Sequence, residues 1–195
     1  MVIDISQEVY SCAVYPGDPQ PVKTIDRSIS EGALYNLSAL SMCVHNGTHI
    51  DAPYHFIDEG KTVDQIPLDS FVGECYVCRR RGELTAETAE EIMASARKVS
   101  ASKRIIIAGG CVVTASAAKV FAENGIRLIG VDTQSVGPEG APMEVHLILL
   151  SRDIVILEGL RLEGVDEGRY FLSCAPLNLA GSDGSPCRAY LMTED

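Results

Sequence analysis

Three of the four histidines in the chain fall in one eleven-residue stretch, His45-Asn-Gly-Thr-His49-Ile-Asp51-Ala-Pro-Tyr-His55. Imidazole is the commonest metal ligand in proteins and the side chain that titrates nearest neutrality. On a helix, residues four apart would share a face, but Asn46-Gly47 and Pro53 oppose a helix here. The expected alternative is a turn that folds His45, His49 and Asp51 back on one another. Three nitrogen and oxygen donors with one position left open are the pattern of a catalytic metal site rather than a structural one. A divalent ion so held would lower the pKa of bound water from about 15.7 towards about 7 and polarise a substrate carbonyl. The fourth histidine, His146, taken alone reads as an ordinary side chain with no special task.

Periodicity indicates the elements that must position these residues. Residues 2–5 alternate like a short strand, and Tyr15-Pro16-Gly17-Asp18-Pro19 is a loop set by Pro and Gly. Residues 35–44 read as a strand that delivers the chain into His45, and residues 71–80 as another, ending at Gly82. A helix is expected over residues 86–99. Thr85 suits its N-cap, Glu87, Glu90 and Glu91 lie near its positive end, and Arg97-Lys98 near its negative end. Ala86, Ala89, Ile92, Met93 and Ala96 then share one face. The apolar run 105–108, a helix over 115–123 stopped by Asn124-Gly125, and a strand over 127–131 make a βαβ unit with parallel pairing. A short helix starting near Pro142 carries His146 and feeds a strand over 154–157. Residues 169–174 and 188–192 are strand candidates that complete a mixed sheet. Ligands of open α/β sheets sit beyond the carboxyl ends of the strands, which here are Gly109-Gly110, Asp132 and Glu158.

Sixteen basic residues against 27 acidic ones give a net charge of −11, which argues against a phosphate-neutralising surface and so against a nucleic-acid partner. The one basic run, Arg79-Arg80-Arg81, is followed at once by Gly82 and Glu83. A composition 46% hydrophobic and 22% charged excludes disorder and fibrous classes. The longest uncharged stretch, 105–118, contains Gly109-Gly110 and is too short to cross a bilayer. The start MVIDISQE carries early acids and no basic-then-apolar leader, so a cytoplasmic protein with no membrane partner is expected. With no repeat or linker, the 195 residues read as one domain over 1–195. Cys75 and Cys78 form a C-x-x-C. On a strand, positions three apart face opposite sides, and no second pair exists to complete a thiolate site, so they read as packing thiols.

The segment H-N-G-T-H-I-D-A-P-Y-H resembles the H-x-G-T-H-x-D-x-P-x-H signature of the cyclase-like metal-dependent hydrolases, a family that includes bacterial kynurenine formamidase and isatin hydrolase. The resemblance extends to the Tyr15-Pro-Gly-Asp-Pro19 loop, to Gly130-Val-Asp132-Thr-Gln-Ser135, to His146 with Ile156-Leu-Glu158-Gly-Leu, and to the closing segment from Pro176-Leu to Gly184-Ser-Pro186. It implies an α/β fold with a mixed sheet, of the swivelling β/β/α kind, assembled as a homodimer or homotetramer. It implies that His45, His49 and Asp51 bind a first divalent metal, Zn or Mn. Asp51, His146 and Glu158 would bind a second, with Asp51 bridging, for one or two ions per chain. His55 would be the catalytic acid/base and not a ligand. The implied reaction is hydrolysis of a C–N bond in a small amide or cyclic amide, aryl formamides among them. Tyr15 either stacks on a planar small-molecule substrate or packs its own loop. Asp132 is a partner standing behind the ligands or a helix cap. Two alternatives keep the metals: cyclisation or dehydration of a small carboxylated metabolite, and a non-catalytic oligomer whose loops the metal holds. His55 weighs against the last, since five other ligands leave it no structural task.

Overall fold

The computed structural model describes residues 1–193. In chain order its strands are β1 (Val2–Asp4), β2 (Val22–Arg27), β3 (Leu37–Ser41), β4 (His49–Asp51), β5 (Val72–Arg79), β6 (Gly82–Leu84), β7 (Arg104–Ala108), β8 (Cys111–Val113), β9 (Leu128–Val131), β10 (Val155–Glu158), β11 (Gly168–Ser173), β12 (Gly184–Pro186) and β13 (Tyr190–Met192). The helices are α1 (Ala86–Lys98), α2 (Ala115–Glu123) and α3 (Met143–Leu150). Nine strands form one mixed sheet in the order β1-β13-β11-β5-β7-β9-β10-β4-β12. β5, β7, β9 and β10 run parallel, as the βαβ pattern requires, and the flanking strands are antiparallel.

Alternation in the central strands divides the core into two faces. Ile105, Ile107, Ile129, Val131 and Ile156 point to one side, where the buried stripes of all three helices meet them. Ile106, Leu128, Val155 and Leu157 point to the other, against Ile5, Ile50, Phe71, Leu160 and Leu172. α1 and α2 begin where expected, each with a threonine cap: Thr85 accepts from Thr88 N and Thr114 from Ala117 N. Pro142 sits at the start of α3, where its missing N–H costs nothing. Cys75 and Cys78 project into opposite core faces, and burial pushes each thiol up to about 12, so they are packing groups.

The structure corrects one element near the site. The strand expected over 35–44 is only Leu37–Ser41, and it does not belong to the main sheet. It pairs with β2 in a separate antiparallel ribbon whose strand residues are all exposed, and the chain reaches His45 through a loop. β2, β4, β6, β8 and β12 carried no sequence expectation.

Candidate metal centre

β4 is the strand that assembles the site. His49 and Asp51 are two residues apart and therefore share one face of it, while Ile50 goes into the core behind. Its antiparallel register with β10 sets His49 directly opposite Glu158. α3, packed on that same side of the sheet, turns His146 towards both acids. The turn that carries His45 lies against the end of β10. There Gly159 has φ +67°, and a Cβ on it would stand 2.1 Å from Gly47 O, so only glycine allows the approach. Thr48 Oγ1 and Gln7 Nε2 both donate to Gly159 O, at 2.7 and 2.9 Å, and lock the turn down. The expected folding-back of His45, His49 and Asp51 is thus achieved by a turn followed by a strand.

His49, Asp51, His146 and Glu158 are each at most 4% exposed. His49 Nε2 lies 3.3 Å from Asp51 Oδ1 and 3.4 Å from Glu158 Oε2. His146 Nε2 lies 3.5 Å from Asp51 Oδ2 and 3.3 Å from Glu158 Oε1. Each ring is oriented by its other nitrogen: His49 Nδ1 donates to Gly47 O at 3.0 Å and His146 Nδ1 to Pro142 O at 2.8 Å. A carbonyl only accepts, so both Nδ1 atoms carry hydrogen, and both neutral Nε2 atoms present lone pairs to carboxylate oxygens. Lone pair against carboxylate is repulsive unless a proton or a cation stands between.

The residues fit a divalent ion on this chemistry. Metal-bound histidines characteristically donate the other ring nitrogen to a carbonyl or carboxylate. Asp51 Oδ2 is buried without a hydrogen-bond partner among the described residues, an orphan that an ion would satisfy. Donor atoms of His49, Asp51 and Glu158 lie within 4.8 Å of one another, as do those of His45, Asp51 and His55. With protons in place of an ion, burial is the largest single influence on both buried imidazoles and lowers their pKa values. The combined pull of Asp51 and Glu158 outweighs it, taking His49 well above 6.5 and His146 to about 10. Burial likewise raises Asp51, but its three imidazole neighbours hold it well below the usual carboxylate range.

His55 is different. It follows Pro53 on a one-turn 3₁₀ helix and is half-buried, and burial, aided by His45 and His146, lowers its pKa below 6.5. Its ring stacks on that of His45, centroids 4.0 Å apart. The six residues His45, His49, Asp51, His55, His146 and Glu158, proposed from sequence, all meet at this place. Tyr15 lines the adjoining cavity of about 290 Å³, with Phe56, Gln134, Ser135 and Pro142. Asp132 is neither a helix cap nor a neighbour of the ligands: its two oxygens accept from Gly109 N and Gly110 N at 2.7 and 2.9 Å. One residue was missed. Asp183 Oδ2 lies 2.8 Å from His45 Nε2 and 3.4 Å from His55 Nδ1. Its only signal in the sequence was its place immediately before Gly184-Ser-Pro186.

Comparison with known proteins gives the family and the fold. The cyclase family model, described as "Putative cyclase", matches residues 3–138, which include His45, His49, Asp51 and His55. The chain belongs to the cyclase family of metal-dependent hydrolases. Kynurenine formamidase of Erythrobacter litoralis is 33% identical over 96% of this chain and 92% of its own. Kynurenine formamidase of Salinibacter ruber is 34% identical over 97% and 96%. The solved structure titled a potential metal-dependent hydrolase with cyclase activity is 30% identical, covers 100% of this chain and 99% of its own, and superposes with a TM-score of 0.84. An isatin hydrolase bound to thioisatinate shares 18% of residues over 100% of this chain and 92% of its own. At a TM-score of 0.85 it shares the fold. The cyclase-family fold implied by the signature is therefore the fold observed. Among the described residues, no helix of this family member is long and apolar enough to cross a membrane.

Proposed function

We propose that the protein hydrolyses a C–N bond in a small non-peptide amide, with aryl formamides and cyclic amides as the substrate classes. The observation that carries this reading is the contrast among the histidines. His49 and His146 aim their Nε2 atoms at buried carboxylates, whereas His55 is held neutral at the edge of the cavity. His45, His49, Asp51, His146 and Glu158 would hold one or two divalent ions, Zn or Mn, which supply an acidified water and a polarised carbonyl. His55 is placed to accept a proton from an attacking water as the water oxygen bonds to the acyl carbon. It then delivers the proton to the departing nitrogen as the C–N bond breaks, giving a carboxylic acid and an amine. Such acid/base work contributes about 10²–10⁴-fold. Tyr15 and Phe56 flank a cavity of about 290 Å³ and suit a planar acyl or aryl group. The relatives named kynurenine formamidase support the formamide class. Seven free thiols suit a reducing, cytoplasmic compartment.

The test is elemental analysis of protein purified without added metal, followed by a panel of aryl formamides and cyclic imides assayed with and without chelator. The expected result is one or two equivalents per chain and chelator-sensitive release of carboxylate. A protein that binds metal, loses its fold on chelation and turns over nothing on the panel would be the non-catalytic alternative instead.

A further inference from the structure

We infer that Asp183 is a positioning residue that sets the tautomers of two histidines at once. Its carboxylate holds the proton of His45 on Nε2, leaving Nδ1 to the metal, and holds that of His55 on Nδ1, leaving Nε2 as the proton-transfer atom. The His55 half rests on the proposed function; the His45 half rests only on the metal centre.

One carboxylate oxygen hydrogen-bonds one ring and lies within ion-pair distance of the second. Asp183 Oδ2 is 2.8 Å from His45 Nε2 and 3.4 Å from His55 Nδ1, and the rings are inclined by only 32°. An ionised carboxylate only accepts hydrogen bonds, so the nitrogens that face it are the protonated ones. His45 Nδ1, in turn, lies 2.9 Å from Asp51 Oδ1, another acceptor. Held between two carboxylates, the ring carries a proton on each nitrogen until an ion beside Asp51 displaces the one on Nδ1. The proton on Nε2 then stays with Asp183, and His45 serves the ion with the opposite ring nitrogen from His49 and His146. His49 and His146 have backbone carbonyls behind them. His45 has Asp183, and a carboxylate there makes its imidazole the more strongly donating ligand.

Asp183 is 41% exposed, and an exposed ion pair on a free loop is worth little. Its loop, however, is not free. Asp183 O accepts from Ala52 N and Ser182 O from Val63 N, both at 2.9 Å, while Gly181 N donates to Asp64 Oδ1 at 3.0 Å. The next residue, Gly184, makes room for the ring: a Cβ there would stand 2.6 Å from His45 Cε1. The carboxylate is thus held in place before any ligand arrives, and little entropy is lost in using it.

With four histidines in the chain, ¹⁵N-imidazole NMR of the zinc-loaded protein is directly interpretable. The expected spectrum shows His45 protonated at Nε2 and His55 at Nδ1, with His49 and His146 protonated at Nδ1. Asp183→Ala should shift the His45 Nε2–H signal and release the His55 proton from Nδ1, and Asp183→Asn, which keeps an acceptor oxygen, should lessen both changes. Zinc affinity against a competing chelator should fall about 10–100-fold in Asp183→Ala, and kcat on a turned-over formamide by a similar factor with KM little changed. The inference is overturned if wild-type His45 is protonated at Nδ1. It is also overturned if Asp183→Ala keeps wild-type imidazole signals and zinc affinity. The wild-type spectrum decides the matter even if neither variant folds. A wild-type protein inactive on every amide would sink the proposed function while leaving the spectrum and the zinc titration to judge Asp183.

Discussion

His55 sits in both candidate lights, since its ring nitrogens approach Asp51 and His45 closely enough to share an ion, yet it alone among the site histidines has a lowered pKa. Replacing it separates the roles. His55→Ala should lower kcat by about 10²–10⁴-fold and leave metal equivalents per chain unchanged; loss of metal would make His55 a ligand. The pH profile gives a second check. A base must be deprotonated to act, so the acid limb of kcat/KM should fall below the ordinary imidazole value of about 6.5. The buried histidines behave oppositely. In chelated protein, His146 titrates at about 10 against 6.5 when unfolded, so its stabilising effect is complete below pH 6.5 and disappears as pH rises through 10. Thermal unfolding of chelated protein should therefore occur at progressively lower temperature across that window. Bound metal replaces those protons, so the loaded protein should show no such decline, and parallel curves would mean that the ion does not occupy this site.

At the scale of elements, the site depends on how closely the turn 45–48 lies on the end of β10. Gly159→Ala meets both a left-handed φ and a Cβ contact of 2.1 Å with Gly47 O, whereas Gly82 has a similar φ of +69° with nothing within 4 Å. Gly82→Ala should cost only the backbone strain, about 1–2 kcal/mol. Gly159→Ala should cost more and should also weaken metal binding, because the turn must lift; calorimetry and metal titration of the two variants make the comparison. This dependence also explains what the sequence concealed. α1, α2 and the central parallel strands are long enough for caps and periodicity to show. β4 has three residues, β12 is Gly-Ser-Pro, and neither has a pattern of its own; β4 is a strand because β10 offers it an edge, and β12 because β4 then offers the next one. His45, His49 and Asp51 were legible because they crowd into one motif and Glu158 because it ends an apolar strand, whereas His146, on α3, was marked only by the family resemblance. Asp183 was not legible, being an ordinary loop acid whose partner His45 is 138 residues away in sequence.

At the scale of the whole molecule, the β2–β3 ribbon is the part that the protomer does not account for. A two-stranded ribbon alone is marginal in water, and this one exposes Val22, Ile25, Leu37 and Leu40 by 45–65%, with Leu34 in its connection 96% exposed. Apolar exposure on that scale within one element marks an interaction surface. We propose that it is covered by a second copy of the chain, in keeping with the homodimer or homotetramer that the family signature implied. Light scattering on eluting protein should then give a multiple of 21.0 kDa. The double substitution Ile25→Lys, Leu37→Lys places like charges on neighbouring strands of that surface and should yield a protomer-sized species. Because the ribbon leads directly into the loop before His45, that species should also unfold at lower temperature and hold metal less tightly. A wild-type protein that elutes at protomer mass would defeat the proposal, and a variant that stays associated would move the contact to another face.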